Sequence, residues 1–436
     1  MALYAHIVGW GKYVPERVVT NHDLAKIMDT SDEWIKSRTG ISERRFAAEN
    51  ETTATMSIEA AKLALDRARI APSAIDMIIV ATVTPDYIMP STAALVQDAL
   101  GATHAAAYDM NAACAGFIYG LSMANSMIQS GAAKVVVVIG AETLSRILDV
   151  EDRTTYPLFG DGAGAVVLKA HPTPGGVLST VLGADGSGAE HLIVLAGGSK
   201  MPTSQETLDQ RLHFMRMNGR EVYRFATRVM GKAAKEACDK AGVNVDEISL
   251  FVPHQANIRI IQSASKQLKV SEDKVFTNLD KYGNTSAASI PIAFCEAIQE
   301  GKVNTKDKVV MVGFGAGLTW GATVIEWGVP MPYRGRQWWY RAWRLLVYRW
   351  ARVRSMSVRL SRQLENRLER DEAQKIKPVE KPKKEKEVET SQPPSTNGSK
   401  PHPTETPLPL PAETEEQIEE TVLAGDQNAN RNKDGG

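Results

Sequence analysis

IDMIIVATVTP (residues 75–85) and KVVVVIGAE (residues 134–142) return in altered form as VDEISLFVPH (residues 245–254) and DKVVMVGFG (residues 307–315). In each pair, a strand-like run opened by Asp leads to a loop, and a later Lys-led run ends at Gly. These runs do not alternate polar with apolar residues, which is the pattern of a sheet covered on both faces. Similar runs cover Ala105–Met110, Ala163–Leu168 and Ala322–Trp327, with the helix-length segments Thr53–Ala68, Phe117–Ser130, Tyr223–Ala241 and Ser286–Gln299 between the strands. Strands alternating with helices predict an α/β fold. The repeat predicts two similar halves, residues 1–172 and 173–330, whose equivalent loops meet at a shared centre.

After Trp327 the character changes. Residues 334–362 carry nine Arg and no acid, and residues 338–350 hold four of the eight Trp. Trp339, Trp343, Leu346, Trp350, Val353, Leu360, Leu364 and Leu368 recur at helical spacing, so residues 331–370 are expected to form a basic amphipathic helix. Such a helix suits an anionic membrane surface, through residues 334–370, or a protein partner. From residue 371 to 436 a Lys/Glu run and a Pro/Ser/Thr/Glu-rich tail hold few apolar residues, which predicts disorder.

The 436 residues carry 51 basic and 51 acidic side chains, a balance that gives no reason to expect a nucleic-acid partner. The three cysteines, Cys114, Cys238 and Cys295, have neither paired nor metal-type spacing. A reducing compartment is therefore expected, with no disulfide framework and no metal site. No basic segment followed by an apolar run opens the chain, and no run reaches the ~20 apolar residues of a spanning helix. The expected location is cytoplasmic, peripheral to the membrane if the basic helix docks there.

Cys114 lies in NAACAGF, between a strand and a helix whose stripe is Phe117, Leu121, Ala124 and Ile128. A thiol at a helix N-terminus meets free N–H groups and the positive end of the dipole, which favour the nucleophilic thiolate. Cys238 and Cys295 fall within helix patterns and read as small core residues. His254 follows an apolar strand and Pro253, and Gln255 and Asn257 come after it. Asn284 lies in KYGNTSAAS, where it also suits a helix N-cap. One thiol, one imidazole and one amide are the parts needed to form an acyl-thioester and then make a carbon–carbon bond from it. Two Gly-rich loops, FGDGAGA and GFGAGLTWG, lack the nucleotide-binding fingerprints. They read as close backbone approach, with the N–H groups of Cys114, Gly315 and Ala316 as oxyanion donors.

NAACAGF, FGDGAGA, VPHQANIRI, KYGNTSAASIP and GFGAGLTWG occur in an order and spacing that resemble β-ketoacyl-acyl-carrier-protein synthase III over residues 1–328. The resemblance implies a thiolase-like fold, two α/β halves layered αβαβα, and a homodimer. It implies that an acyl-CoA primer acylates Cys114, and that His254 and Asn284 stabilise the enolate of decarboxylating malonyl-acyl carrier protein, with no cofactor. CoA contacts carry over to Trp34 and Arg38 of DEWIKSRTGI, to Arg153, and to Asn257. Docking of the acyl carrier protein carries over to Arg224, Arg259 and Lys266. Met89 stands beside the acyl pocket where several members have an aromatic residue, which implies a longer or branched primer. The extension beyond residue 330 departs from the family pattern. The alternatives are a relative that joins acyl-CoA units or acylates a secondary metabolite, and a non-catalytic scaffold on the same fold.

Overall fold

The computed structural model describes residues 2–328 and 338–375. Residues 331–337 of the expected helix and residues 376–436 of the expected disordered tail (371–436) lie outside the described residues; residues 371–375, expected in the tail, continue the helix. The first half is built from β1 (Tyr4–Tyr13), α1 (Asp32–Thr39), α2 (Thr53–Ala68), β2 (Met77–Ala81), α3 (Thr92–Leu100), β3 (Ala106–Met110), α4 (Gly116–Gln129), β4 (Val135–Glu142) and β5 (Gly162–His171). The second comprises β6 (Gly176–Ala184), α5 (Gly219–Ala241), β7 (Ile248–Pro253), α6 (Ile258–Leu268), α7 (Ser289–Gln299), β8 (Lys308–Gly315) and β9 (Thr319–Glu326). A long helix, α8 (Trp338–Lys375), follows.

One sheet has the order β1-β5-β4-β2-β3 and the other the order β6-β9-β8-β7. In both, one parallel pair (β2 with β4; β7 with β8) is followed by two antiparallel pairs (β4–β5–β1; β8–β9–β6). The repeat read in the sequence is therefore a repeat of strand pairing. The first half adds β3 at its edge, parallel to β2.

Helices α4 and α7 lie between the sheets. Phe117, Leu121, Ile128, Ile290 and Phe294 pack there with Val136 and Val138 of one sheet and Val252 and Met311 of the other. Helices α2 and α3 cover the outer face of the first sheet through Met56, Ala60, Leu65 and Val96. Helices α5 and α6 cover the second through Phe225, Met230, Ile260 and Leu268. The result is five layers, αβαβα. Every residue of β4 is buried because both of its faces are covered. Each fully buried Phe, Ile or Leu contributes about 1.5–3 kcal/mol, and all three cysteines are free.

Two strands, β1 and β6, were not legible as apolar runs. In β1, Gly9 and Gly11 interrupt the run because α2 lies against them: an added Cβ would meet Ala64 O at 2.1 Å and Ala60 O at 2.2 Å. In β6 the run is broken by Ser179 and Thr180 on an edge strand.

Helix α8 seats on α2 and α3. Tyr348 is 7% exposed beneath the Lys62 ammonium, 5.4 Å from the ring centroid, and Ser355 Oγ donates to Asp98 Oδ2 at 2.6 Å. A Cβ on Gly101, just past α3, would lie 2.8 Å from Ala351 Cβ. The apolar stripe faces the other way: Leu346, Trp350, Val353, Leu360 and Leu364 are 52–71% exposed. An amphipathic helix normally buries its apolar stripe on its own core; α8 buries the opposite face.

Candidate active site

Cys114 closes a tight turn between β3 and α4. Asn111 Oδ1 accepts from Ala113 N at 3.3 Å, and Ala113 takes φ +46°, a left-handed conformation that costs a non-Gly residue energy. The turn sets the thiol at the head of α4, 6% exposed. Burial pushes the thiol pKa up to about 12, against a smaller lowering by the Ser286 hydroxyl and the residue's own N–H. The helix end therefore does not make Cys114 a resting thiolate: desolvation of the charged form outweighs the dipole. Among the described residues, the Cys114 N–H donates to no other group. Cys238 and Cys295 are buried on α5 and α7 with raised pKa values, as core cysteines should be.

His254 ends β7, its N–H held by Val312 O at 2.8 Å, and it is fully buried. Burial drives the imidazole down to about 3, so the ring is neutral. Nδ1 lies 2.6 Å from Ser289 Oγ, while Nε2 is buried with no partner. If the Ser289 hydroxyl donates to Nδ1, the proton sits on Nε2 and is free to be donated. Asn284 is 7% exposed; its Oδ1 accepts from Ser286 N at 2.8 Å, and among the described residues its Nδ2 donates to none. The amide is thus oriented with its NH2 free. It does not cap a helix in the expected way: it makes an Asx turn, and α7 starts at Ser289 without a side-chain cap.

Strand β8 joins these pieces. A Cβ on Gly313 would lie 3.4 Å from Cys114 O and 3.6 Å from His254 Cβ, so this glycine separates the thiol turn from the histidine. A Cβ on Gly315 would lie 2.5 Å from Cys114 N, so only glycine fits there. Thr319 Oγ1 reaches Ala112 O at 2.9 Å and Ala316 O at 3.1 Å, tying the Gly315–Ala316 loop to the cysteine turn. Sequence reasoning missed Ser289 and Thr319. Both stand inside quoted motifs, but nothing in the order of residues shows which atoms they touch.

Residues 108–186 match the family described as 3-oxoacyl-[acyl-carrier-protein (ACP)] synthase III, and residues 238–327 match its C-terminal part. A β-ketoacyl-[acyl-carrier-protein] synthase III of Symbiobacterium thermophilum is 55% identical over 322 residues, spanning 74% of this chain and 98% of the relative. The chain belongs to the β-ketoacyl-acyl-carrier-protein synthase III family. It is a condensing acyltransferase that initiates fatty acid synthesis. The 3-oxoacyl-[acyl-carrier-protein] synthase III of Aquifex aeolicus superposes with a TM-score of 0.69 at 49% identity, covering 74% of this chain and 100% of that one. The priming β-ketosynthase of the R1128 polyketide pathway gives 0.71 at 34%, covering 76% and 98%. These matches cover about three quarters of this chain.

The synthase brings most of its expected CoA residues to one rim. The guanidinium carbons of Arg38 and Arg153 lie 4.7 and 5.4 Å from the Trp34 ring centroid. Asn257 caps α6 by accepting from Arg259 N at 2.9 Å and donates from Nδ2 to Arg38 O at 3.0 Å. That leaves one amide hydrogen for a ligand. Arg259 also reaches Ser37 O at 3.1 Å. Arg224 on α5 and Lys266 on α6 are exposed on neighbouring helices, Arg224 paired with Glu221. Met89, expected beside the acyl pocket, lies on the surface. It is 85% exposed, beside Tyr87 at 59% and Ile88 at 92%.

Proposed function

We propose that Cys114 accepts the acyl group of an acyl-CoA primer and that His254 and Asn284 stabilise the enolate of malonyl-acyl carrier protein. The observation that carries this reading is the pair of unused donors beside the thiol: the buried, unpartnered His254 Nε2 and the free Asn284 Nδ2. Cys114 attacks the thioester carbonyl, and its own N–H, with those of the Gly315–Ala316 loop, holds the oxyanion. CoA leaves. The malonyl thioester then sets its carbonyl oxygen against the imidazole and the amide, loses CO2, and its carbanion attacks the acyl-Cys114. The product is a 3-oxoacyl-acyl carrier protein, and the chemistry calls for no further cofactor. A neutral histidine suits this role, since it donates without placing a second charge in a buried site.

Trp34 with Arg38 and Arg153 offers an aromatic face and two cations for the adenine and phosphates of CoA, with Asn257 toward the pantetheine. Arg224, Arg259 and Lys266 offer positive charge to the acidic carrier protein. A homodimer is supported by the unpaired edge of β3 and by the exposed run Tyr87–Met89. Met89 stands beside the acyl pocket in this reading, where its flexibility suits a longer or branched primer. The outward stripe of α8, with its arginines, supports a cytoplasmic enzyme that attaches to an anionic membrane face. Among the described residues, no helix is long and apolar enough to cross a membrane.

His254→Ala and Asn284→Ala should each slow malonyl decarboxylation by about 100-fold or more, while acylation of Cys114 stays within about tenfold of wild type. Equal loss of both steps would contradict the division of roles. Malonyl-CoA replacing malonyl-carrier protein at full rate would favour the relative that joins CoA units.

A further inference from the structure

The turn that carries Cys114 has a copy without a thiol, and the copy holds a buried carboxylate. Laying NAACAG (residues 111–116) on NTSAAS (residues 284–289) puts Asn111 on Asn284, Ala113 on Ser286 and Cys114 on Ala287. The backbone agrees: φ is +46° at Ala113 and +48° at Ser286, and each Asn Oδ1 accepts from the N–H two residues ahead. The same operation lays Gly140 and Glu142 of β4 on Gly313 and Gly315 of β8. Both glycines at the first position face the opposing turn, Gly140 with Ala287 O at 2.1 Å and Gly313 with Cys114 O at 3.4 Å from an added Cβ. At the second position Gly315 lacks a side chain and lets the Cys114 backbone approach, whereas Glu142 carries a carboxyl group.

Glu142 is fully buried. Its Oε2 accepts from Thr84 Oγ1 at 2.7 Å, Thr82 Oγ1 at 3.1 Å and Val83 N at 3.1 Å. Its Oε1 accepts from Ser286 Oγ at 2.9 Å. Among the described residues, no Lys or Arg pairs with it. Four neutral donors and no cation surround the buried carboxyl group, so ionising it is expensive. The cysteine turn packs against the turn that carries Ser286, an added Cβ on Gly116 lying 3.8 Å from Ala287 Cβ, and the Ser286 hydroxyl lowers the Cys114 thiol pKa while donating to Glu142. Its hydroxyl is thus the polar group shared by the nucleophile's turn and the carboxyl group.

We propose that Glu142, acting through Ser286, takes the proton of Cys114 during acyl transfer, keeps it through the acyl-enzyme, and returns it after condensation. As Sγ attacks the thioester, the thiol proton passes to Ser286 Oγ and the Ser286 proton passes to Glu142 Oε1. The C–S bond to CoA breaks, and CoA departs as a thiolate that takes its proton from solvent. Condensation then expels the Cys114 thiolate, which recovers the stored proton along the same path. The negative charge passes from Glu142 to the oxyanion and leaves with CoA, so the acyl-enzyme is neutral with Glu142 protonated; it returns to Glu142 when the expelled Cys114 thiolate takes the proton back. The groups facing the carboxylate are consistent with this. Cys114 comes from the turn before α4, neutral threonines from the segment after β2, and Ser286 from the turn before α7. Asp161, at the head of β5, is occupied by Ala47 N, Ser145 N and Ser145 Oγ. Burial holds Glu142 near 7, within reach of a proton, while His254 near 3 offers a poor resting place for one.

The inference rests on Cys114 as acyl acceptor, and the test separates the two. Full-length wild type, Glu142→Gln and Ser286→Ala are mixed with acyl-CoA and followed by rapid-quench intact mass across pH. Wild-type acylation should rise as pH passes through about 7, where Glu142 ionises, and both variants should acylate about 100-fold more slowly. Glu142→Gln should lose the pH dependence. The infrared difference between acyl-enzyme and free enzyme should show a protonated-carboxyl band in wild type that Glu142→Gln lacks. Should Glu142→Gln fail to fold, Ser286→Ala, which keeps the other three donors, and the wild-type spectrum decide. Wild-type rates in the folded variants, or no carboxyl band, would overturn the relay. A wild-type protein that never gains an acyl group on Cys114 would instead overturn the acceptor assignment.

Discussion

Three groups around the thiol are neutral and underused: an imidazole with one unpartnered nitrogen, an amide with its NH2 free, and a cysteine N–H that bonds no other residue. Their neutrality follows from burial, and their freedom from what pins the rest of each side chain. Ser289 illustrates this, because its hydroxyl at 2.6 Å from Nδ1 decides which His254 nitrogen carries the proton. Ser289→Ala should lower malonyl decarboxylation about tenfold, roughly 1.5 kcal/mol, with acylation unchanged. Release of labelled CO2 set against intact-mass acylation reads both, and an unchanged decarboxylation rate would remove Ser289 from the account. Cys114 and His254 were legible in the sequence as candidates because each follows a strand-like run, and Asn284 because it lies in a loop ahead of a helix-length segment. Ser289, Thr319 and Glu142 were not, since their meaning lies in contacts 35 to 207 residues away.

At the scale of elements, the site depends on turns and strand ends rather than on regular structure. β8 passes between the cysteine turn and His254 only because residues 313 and 315 have no side chain. β1 and β6 escaped the sequence reading for a related reason: close packing places glycine where an apolar run would be expected, and an edge strand tolerates hydroxyls. α8 was legible as a helix, but which face it would bury was not. Periodicity locates a stripe and says nothing of what covers it, and here Tyr348, Ala351 and Ser355 lie inward while Trp350 and its stripe lie outward. Full-length protein should therefore float with anionic liposomes, and a chain ended at residue 328 should not. Salt should weaken the binding, because arginines supply part of it. Equal flotation of the two forms would end the membrane assignment.

For the whole molecule, the determining feature is duplication. The two sheets share one pairing order, and the helices between them begin at equivalent turns, one with a thiol and one with an asparagine pinned for donation. Facing copies bring chemistry from residues 114, 254 and 284 to one place, although 170 residues separate the first from the last. In the proposed scheme the first half receives the acyl group and the second activates the extender, so both halves are needed. Intact-mass measurement of the full chain with an acyl-CoA, followed by malonyl-acyl carrier protein, tests this most directly. The protein should gain one acyl group, mapped to Cys114 and absent in Cys114→Ala, and lose it on addition of the malonyl carrier as 3-oxoacyl product forms. An acyl group retained by Cys114→Ala, or located on Cys238 or Cys295, would contradict the account.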